Sequence, residues 1–424
     1  MFKAFTFAAF LLAGCAAQAS AATDVAKVIA SPAYKKAVSV LDSQHDKIVQ
    51  DIVTLTEIPA PPFKEKARGE AYLEMLRAAG LTDVEMDPEG NVMGLRRGTR
   101  PAGGPLIVIA AHLDTVFPEG TPVKVRREGT KLFAPGVGDD TRSLAVLLGY
   151  VRAMNAAGVK TKHDILFVGN VGEEGPGDLR GTRYLFNKGK YKDRIKAFFS
   201  MDGTDGSRVV NGGVGSKRYR VTFTGPGGHS YGAFGLVNPM AAMSQAVVDL
   251  YKVEVPKHPK TTYSASVTGG GTSVNSIPNK VFMEFDLRSA SAEELASLEQ
   301  RFLGIVSAAV EGENGARSTR EGPVKADLKV IGDRPAGTTP ADSELVRTAQ
   351  AAIRAQGLTP HLGTSSTDAN VPMHLGIPGI TIGSGGSGGR AHALDEWIDV
   401  DKDASLKGML PGLTMLLAMA ELEK

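Results

Sequence analysis

Histidines and carboxylates in this sequence recur where apolar runs end, and that placement is where chemistry would arise. His112 and Asp114 lie in AHLDT, directly after the apolar run at 105–111. In extended chain, residues two apart face the same side, and a ligating histidine usually has its second ring nitrogen oriented by a carboxylate. Alone, the pair reads more simply as loop residues making local hydrogen bonds. Asp139 and Asp140 lie in PGVGDDTRS, where adjacent aspartates would either cap the next helix or offer a metal-bridging carboxylate. Glu173 and Glu174 end the apolar run ILFVGNV, Asp202 ends FFSMDG, and His392 follows the glycine loop of GSGGSGGRAHALDEW. An acidic pair is ordinarily a solvated loop, yet two carboxylates against a buried strand repel one another unless a cation sits there. Neutral imidazole and carboxylate oxygen form the ligand set of zinc and related divalent ions. Two such ions about 3.5–4 Å apart, sharing a carboxylate and a water, generate hydroxide at neutral pH.

Positioning groups so far apart in sequence requires a sheet. PLIVIAAHLDTV (105–116), HDILFVGNVGEEG (163–175) and AFFSMDG (197–203) read as strands running into loops, and SLAVLLGYVRAMNAAG (143–158) as a helix. A further helical stretch lies near 32–57. This alternation predicts an α/β domain, a mostly parallel sheet flanked by helices, whose chemistry sits at the carboxyl ends of its strands. Residues 216–333 differ, with the order β-α-β-β-α-β of a ferredoxin-like α+β domain. From about residue 340 the α/β texture returns, with a helix at 341–356 and a strand at 376–383. One domain, 23–215 plus 334–424, is thus interrupted by an inserted one.

With 48 Lys plus Arg against 46 Asp plus Glu, a formal charge of +2, the chain has no general field for nucleic acid or acidic membranes. One cysteine excludes a disulfide framework and any cysteine-based metal site. Residues 1–22, MFKAFTFAAFLLAGCAAQASAA, have the layout of a secretory signal peptide. Cleavage after Ala19 or Ala21 would release the mature protein, while LAGC resembles a bacterial lipobox that would leave Cys15 lipidated. Either route predicts export, to the periplasm or the medium, with any membrane attachment only through that lipid.

On these motifs the chain resembles the di-zinc exopeptidases and deacylases related to peptidase T, carnosinase, acetylornithine deacetylase and bacterial glutamate carboxypeptidase, from about residue 45 to the C-terminus. The resemblance implies that His112 and Asp202 hold one metal, that Glu174 and His392 hold the other, and that Asp139 bridges them. It further implies that Asp114 orients His112 and that Glu173 is the general base. The ions implied are two divalent cations, zinc first, with cobalt or manganese as alternatives. The insert resembles the family's lid and dimerisation domain, so a homodimer is expected, and His229 of GPGGHS would reach the partner subunit's active site. Asn275 in SVNSIPN and Arg288 in DLRS match substrate-contacting positions; an arginine fork suits a substrate carboxylate. Without the resemblance these three read as a turn histidine, a turn asparagine and a surface arginine. Two departures stand out: Thr141-Arg142 follows Asp140 where Lys-Gly is common, and position 202 is aspartate rather than glutamate. Within the family, aspartate there accompanies aminopeptidases and dipeptidases. The expectation is therefore an exported peptidase acting on short peptides, with carboxypeptidase or N-acyl amino acid deacylase as the alternative.

Two other readings compete. GHSYG satisfies G-x-S-x-G with Ser230 as nucleophile, and Asp368 and His392 follow in α/β-hydrolase order. The preceding strand alternates polar residues, however, and GPGG separates it from the serine. A catalytically dead binding protein is the other, against which stands Glu173 beside the candidate ligands. GSGGSG (383–388) lacks the βαβ unit a dinucleotide site needs and reads as a flexible substrate loop. Asp368 and Asn370 are read as pocket-lining or helix-capping residues. His45, His163, His258, His361 and His374 are read as structural or exposed.

Overall fold

A computed structural model describes residue 21 and residues 24–423. Cys15 and all but residue 21 of the expected export segment lie outside the described residues. No helix among the described residues is long and apolar enough to cross a membrane.

In chain order the longer strands are Thr82–Met86 (β1), Val92–Arg96 (β2), Leu106–His112 (β3), Asp164–Asn170 (β4), Ile195–Met201 (β5) and Arg208–Gly213 (β6). Gly215–Thr224 (β7), Thr261–Gly270 (β8), Lys280–Ser289 (β9) and Lys325–Arg334 (β10) follow, then His361–Ser365 (β11) and Gly379–Ile382 (β12). Two compact units result, one of residues up to Gly213 and from Thr338, the other of Val214–Gly337.

The first unit carries a sheet in the order β1-β2-β4-β3-β5-β12-β6, with β11 beside β6. Its centre, β4-β3-β5-β12, is parallel, and the pairs β1/β2, β2/β4 and β12/β6 are antiparallel. β3 and β4 are buried along their whole length, as expected of central parallel strands covered on both faces. The period of two is visible in the packing. Ile107, Ile109 and Ala111 enter the core shared with the helices Pro32–Ser43 (α1), His45–Thr56 (α2) and Arg142–Ala157 (α3), whereas Leu106, Val108 and Ala110 enter the opposite core with Leu185 and Phe186. The single helical stretch expected near 32–57 is two helices broken at Gln44. The first is capped by Ser31, whose hydroxyl accepts the Tyr34 N–H, with Pro32 opening the helix.

In the insert the sheet order is β8-β9-β7-β10, antiparallel throughout. Tyr219, Val221 and Phe223 point to one face, where Met243 and Leu250 of helix Pro239–Leu250 and Phe302 and Val306 of helix Ala292–Ala316 cover them. The opposite face carries charge, including Arg218, Arg220, Glu284 and Asp286.

Candidate metal centre

Because β4, β3, β5 and β12 run parallel, their carboxyl ends share one edge. His112 is the last residue of β3 and lies opposite Asn170, the last of β4. Glu173 and Glu174 follow β4 on the next turn. Asp202 follows β5, and its N–H donates to the Ile382 carbonyl at the end of β12 (2.9 Å). Asp139 and Asp140, joined by a cis peptide, precede α3. His392 lies between short strands at Ser387–Gly389 and Trp397–Asp399, which pair as a hairpin.

Asp139 is the centre of the arrangement. One carboxylate oxygen faces His112 Nε2 at 2.9 Å and the other faces His392 Nε2 at 3.1 Å. His392 Nε2 also lies 2.9 Å from Glu174 Oε1. Donor atoms of His112, Asp139 and Glu174 fall within 4.8 Å of one another, as do those of His112, Asp140 and Asp202. All five expected ligand residues are gathered here, joined by Asp140, whose type alone did not separate it from a helix cap. Asp140 is fully buried, and its Oδ2 accepts the His112 N–H (3.1 Å).

Asp114 meets both His112 and the turn beyond it. His112 Nδ1 is nearest the Asp114 main-chain oxygen, at 3.0 Å, and 3.7 Å from its carboxylate. The carboxylate also accepts the N–H groups of Glu173 (3.1 Å) and Glu174 (2.8 Å), so it fixes the turn that carries both glutamates. Two residues went unnoticed in the sequence. Glu396 is buried and accepts the N–H groups of Gly136, Gly138 and Asp139 at 2.9, 2.7 and 2.9 Å; its spacing of four from His392 was the available signal. Asn170 donates to Asp368 Oδ2 at 2.7 Å, with Thr182 on the other oxygen. Asp368 is 0% exposed. With Asp368 held by Thr182 and Asn170, and His392 by Asp139 and Glu174, neither is directed to a serine.

Burial, then the charge of Asp139, pushes Asp202 up to about 7. Burial likewise drives Asp140 well above the carboxylate range. Burial would raise Asp139 too, but hydrogen bonds from His112 and His392 outweigh it and hold Asp139 well below its usual value. Hydrogen bonds to Asp139 and Glu174 push His392 up to about 10, and His112 is raised by Asp114 and Asp139 against its burial. Left to protons alone, crowded carboxylates are thus answered by charged imidazoles and neutral acids. Divalent cations would satisfy the same charge with neutral imidazoles and ionised carboxylates, so the donor set fits the metals the resemblance implied.

The insert places its expected residues in two groups. His229 is exposed on a short bridge, Gly228–His229 with Ser276–Ile277, and its Nδ1 accepts the N–H groups of Tyr231 and Gly232. The Asn275 carbonyl accepts the Ser230 N–H (2.9 Å), so His229 and Asn275 share one loop cluster. Arg288 is at the other end of β9, about 26 Å along from Lys280 at 3.3 Å per residue, and its Nε donates to Asp286 at 2.6 Å. Elsewhere, His163 pairs with Glu421 and His361 with Asp205.

Comparison with known proteins agrees with this geometry. Residues 108–421 match the family model for peptidase family M20/M25/M40. The chain is 27% identical over 351 residues to a succinyl-diaminopimelate desuccinylase of Burkholderia mallei, covering 78% of this chain and 88% of the relative. It is 26% identical over 218 residues to carboxypeptidase G2 of Pseudomonas sp. strain RS-16, covering 50% of this chain and about half (51%) of that relative. A tripeptidase of Staphylococcus aureus shares the fold with a TM-score of 0.72 at 18% identity, over 88% of this chain and 99% of that one.

Proposed function

This chain belongs to peptidase family M20/M25/M40, a metal-dependent hydrolase of peptide or amide bonds, and from that premise we propose an exported two-metal peptidase that cleaves short peptides as an aminopeptidase or dipeptidase. The observation that carries the reading is Asp139, with one oxygen toward His112 and the other toward His392. A carboxylate so placed suits a bridge between two cations, one held with His112 and Asp202, the other with Glu174 and His392. Zinc fits imidazole and carboxylate donors, and cobalt or manganese would compete for them. Such ions, when bound, would supply positive charge that acidifies the attacking water and polarises the scissile carbonyl.

The chain's own residues do the rest. Glu173 takes a proton from the attacking water as its oxygen bonds to the carbonyl carbon, then returns that proton to the amine as the C–N bond breaks. By the resemblance, His229 would polarise the scissile carbonyl in the partner subunit's active site, and Asn275 and Arg288 would be substrate contacts. Asp202, aspartate rather than glutamate, supports the aminopeptidase or dipeptidase assignment. The names of the two sequence relatives favour a second reading, carboxypeptidase or N-acyl amino acid deacylase.

A panel of dipeptides, tripeptides and N-acyl amino acids, run with and without chelator, separates them. Chelator-sensitive release of N-terminal residues or splitting of dipeptides is expected. Turnover of N-acyl amino acids alone, or of C-terminal residues alone, would move the assignment to the second reading. Hydrolysis indifferent to chelator would sink both.

A further inference from the structure

Glu396 has no part in the chemistry above, yet it is 1% exposed beside it. A carboxylate is costly to bury unless hydrogen bonds replace its water, and this one has three, all from a single short loop. Its Oε2 accepts the Gly136 N–H, and its Oε1 accepts those of Gly138 and Asp139. The Glu396 main-chain oxygen accepts the Ala134 N–H as well (3.1 Å). Four hydrogen bonds therefore join residues 134–139 to the segment that bears His392. The strands behind them are paired too, Lys131–Phe133 with Trp397–Asp399. At Gly138 a Cβ would meet Glu396 Oε1 at 3.1 Å and Ile398 Cγ2 at 3.0 Å, so the backbone approaches as closely as glycine allows. His392 itself has φ +67, a conformation that a non-glycine residue keeps only where its surroundings over-determine it.

We propose that Glu396 is a positioning residue that clasps the Asp139 loop to the His392 loop and so sets the bridging carboxylate between the two imidazoles. The inference rests on the two-metal reading of the site. Asp139 takes its place through its own N–H, and His392 through the chain four residues away, so one side chain fixes both halves of the contact. A structural clasp alone would lower stability and leave the folded site's metal affinity unchanged. A partner that sets ligand geometry changes that affinity, by 10–100-fold for groups of this kind.

The discriminating variant is Glu396→Gln, which preserves size but turns an NH2 toward a backbone N–H. Purified protein is stripped with chelator, checked for native circular dichroism, and titrated with Zn²⁺ against a chromophoric competitor and with Co²⁺ by visible absorption. Expected is a 10–100-fold weakening of metal binding in the folded variant, with an altered Co²⁺ spectrum. If Glu396→Gln does not fold, Gly138→Ala, which pushes on the same oxygen, is expected to weaken binding in the same direction. Wild-type affinity and spectrum in a folded variant would overturn the proposal. Failure of the unmodified protein to bind two ions would instead remove the two-metal reading on which it stands.

Discussion

Glu173 and Glu174 are adjacent in sequence, and both backbone N–H groups are taken by the Asp114 carboxylate, yet their side chains are assigned different work. That of Glu174 meets His392. Glu173 is 5% exposed and is the carboxylate assigned to proton transfer. Replacing it by glutamine keeps the shape and removes the base. Glu173→Gln is expected to lower kcat by about 10²–10⁴-fold, with two metals per chain retained by elemental analysis and KM changed less than tenfold. Activity within tenfold of the wild type would exclude the role. The glutamate pair and His112 were legible in the sequence because each closes a run of apolar residues. Asp140 was legible only as a helix cap or a bridging carboxylate, and Glu396 not at all: their importance lies in which N–H groups they accept, and such bonds cross between segments remote in the chain.

At the scale of elements, β3 and β4 present their last residues side by side, and Asn170 passes that alignment downward to Asp368. Asp368→Ala would strand the Asn170 amide and the Thr182 hydroxyl in a buried setting. A buried donor left unsatisfied costs about 1–3 kcal/mol, so a fall of that order in unfolding free energy is expected from urea denaturation, with Asp368→Asn falling less. An unchanged midpoint would show that the network adds nothing. The central strands were readable because buried parallel strands are continuous apolar runs, as in ILFV and LIVI. β6 and β11, RVVNGG and HLGTS, are short and rich in glycine and polar residues, and their partners are supplied only by the tertiary fold. The β-α-β-β-α-β order of the insert was legible from alternation and helix length, whereas its boundaries fall at Val214 and Gly337, just outside the flanking strands.

Across the whole molecule, the site's charge couples metal binding to folding. His392, raised to about 10, contributes stability that is complete below its unfolded value near 6.5 and is lost as pH rises through 10. Asp202, raised to about 7, is an acid whose neutral form the fold prefers, so its contribution is complete below the ordinary aspartate value and is lost as pH rises through 7. Both act in the same direction. The depressed Asp139 acts oppositely, with its contribution lost as pH falls below the ordinary aspartate value, which lies outside the window of interest. Chelator-treated protein is therefore expected to lose thermal stability as pH rises from about 4 to about 10, first through Asp202 and then through His392. Because His392 is half-exposed, solvent screens its share, and the steeper part of the decline, which belongs to Asp202, should lie below pH 7. Added Zn²⁺ replaces protons at the same groups, so its stabilising effect should grow with pH over that range. Scanning calorimetry of stripped and zinc-loaded protein at several pH values reads both slopes. A stripped protein whose Tm rises with pH through 7, or a zinc shift that shrinks as pH rises, would mean that these carboxylates and imidazoles do not carry the charge assigned to them.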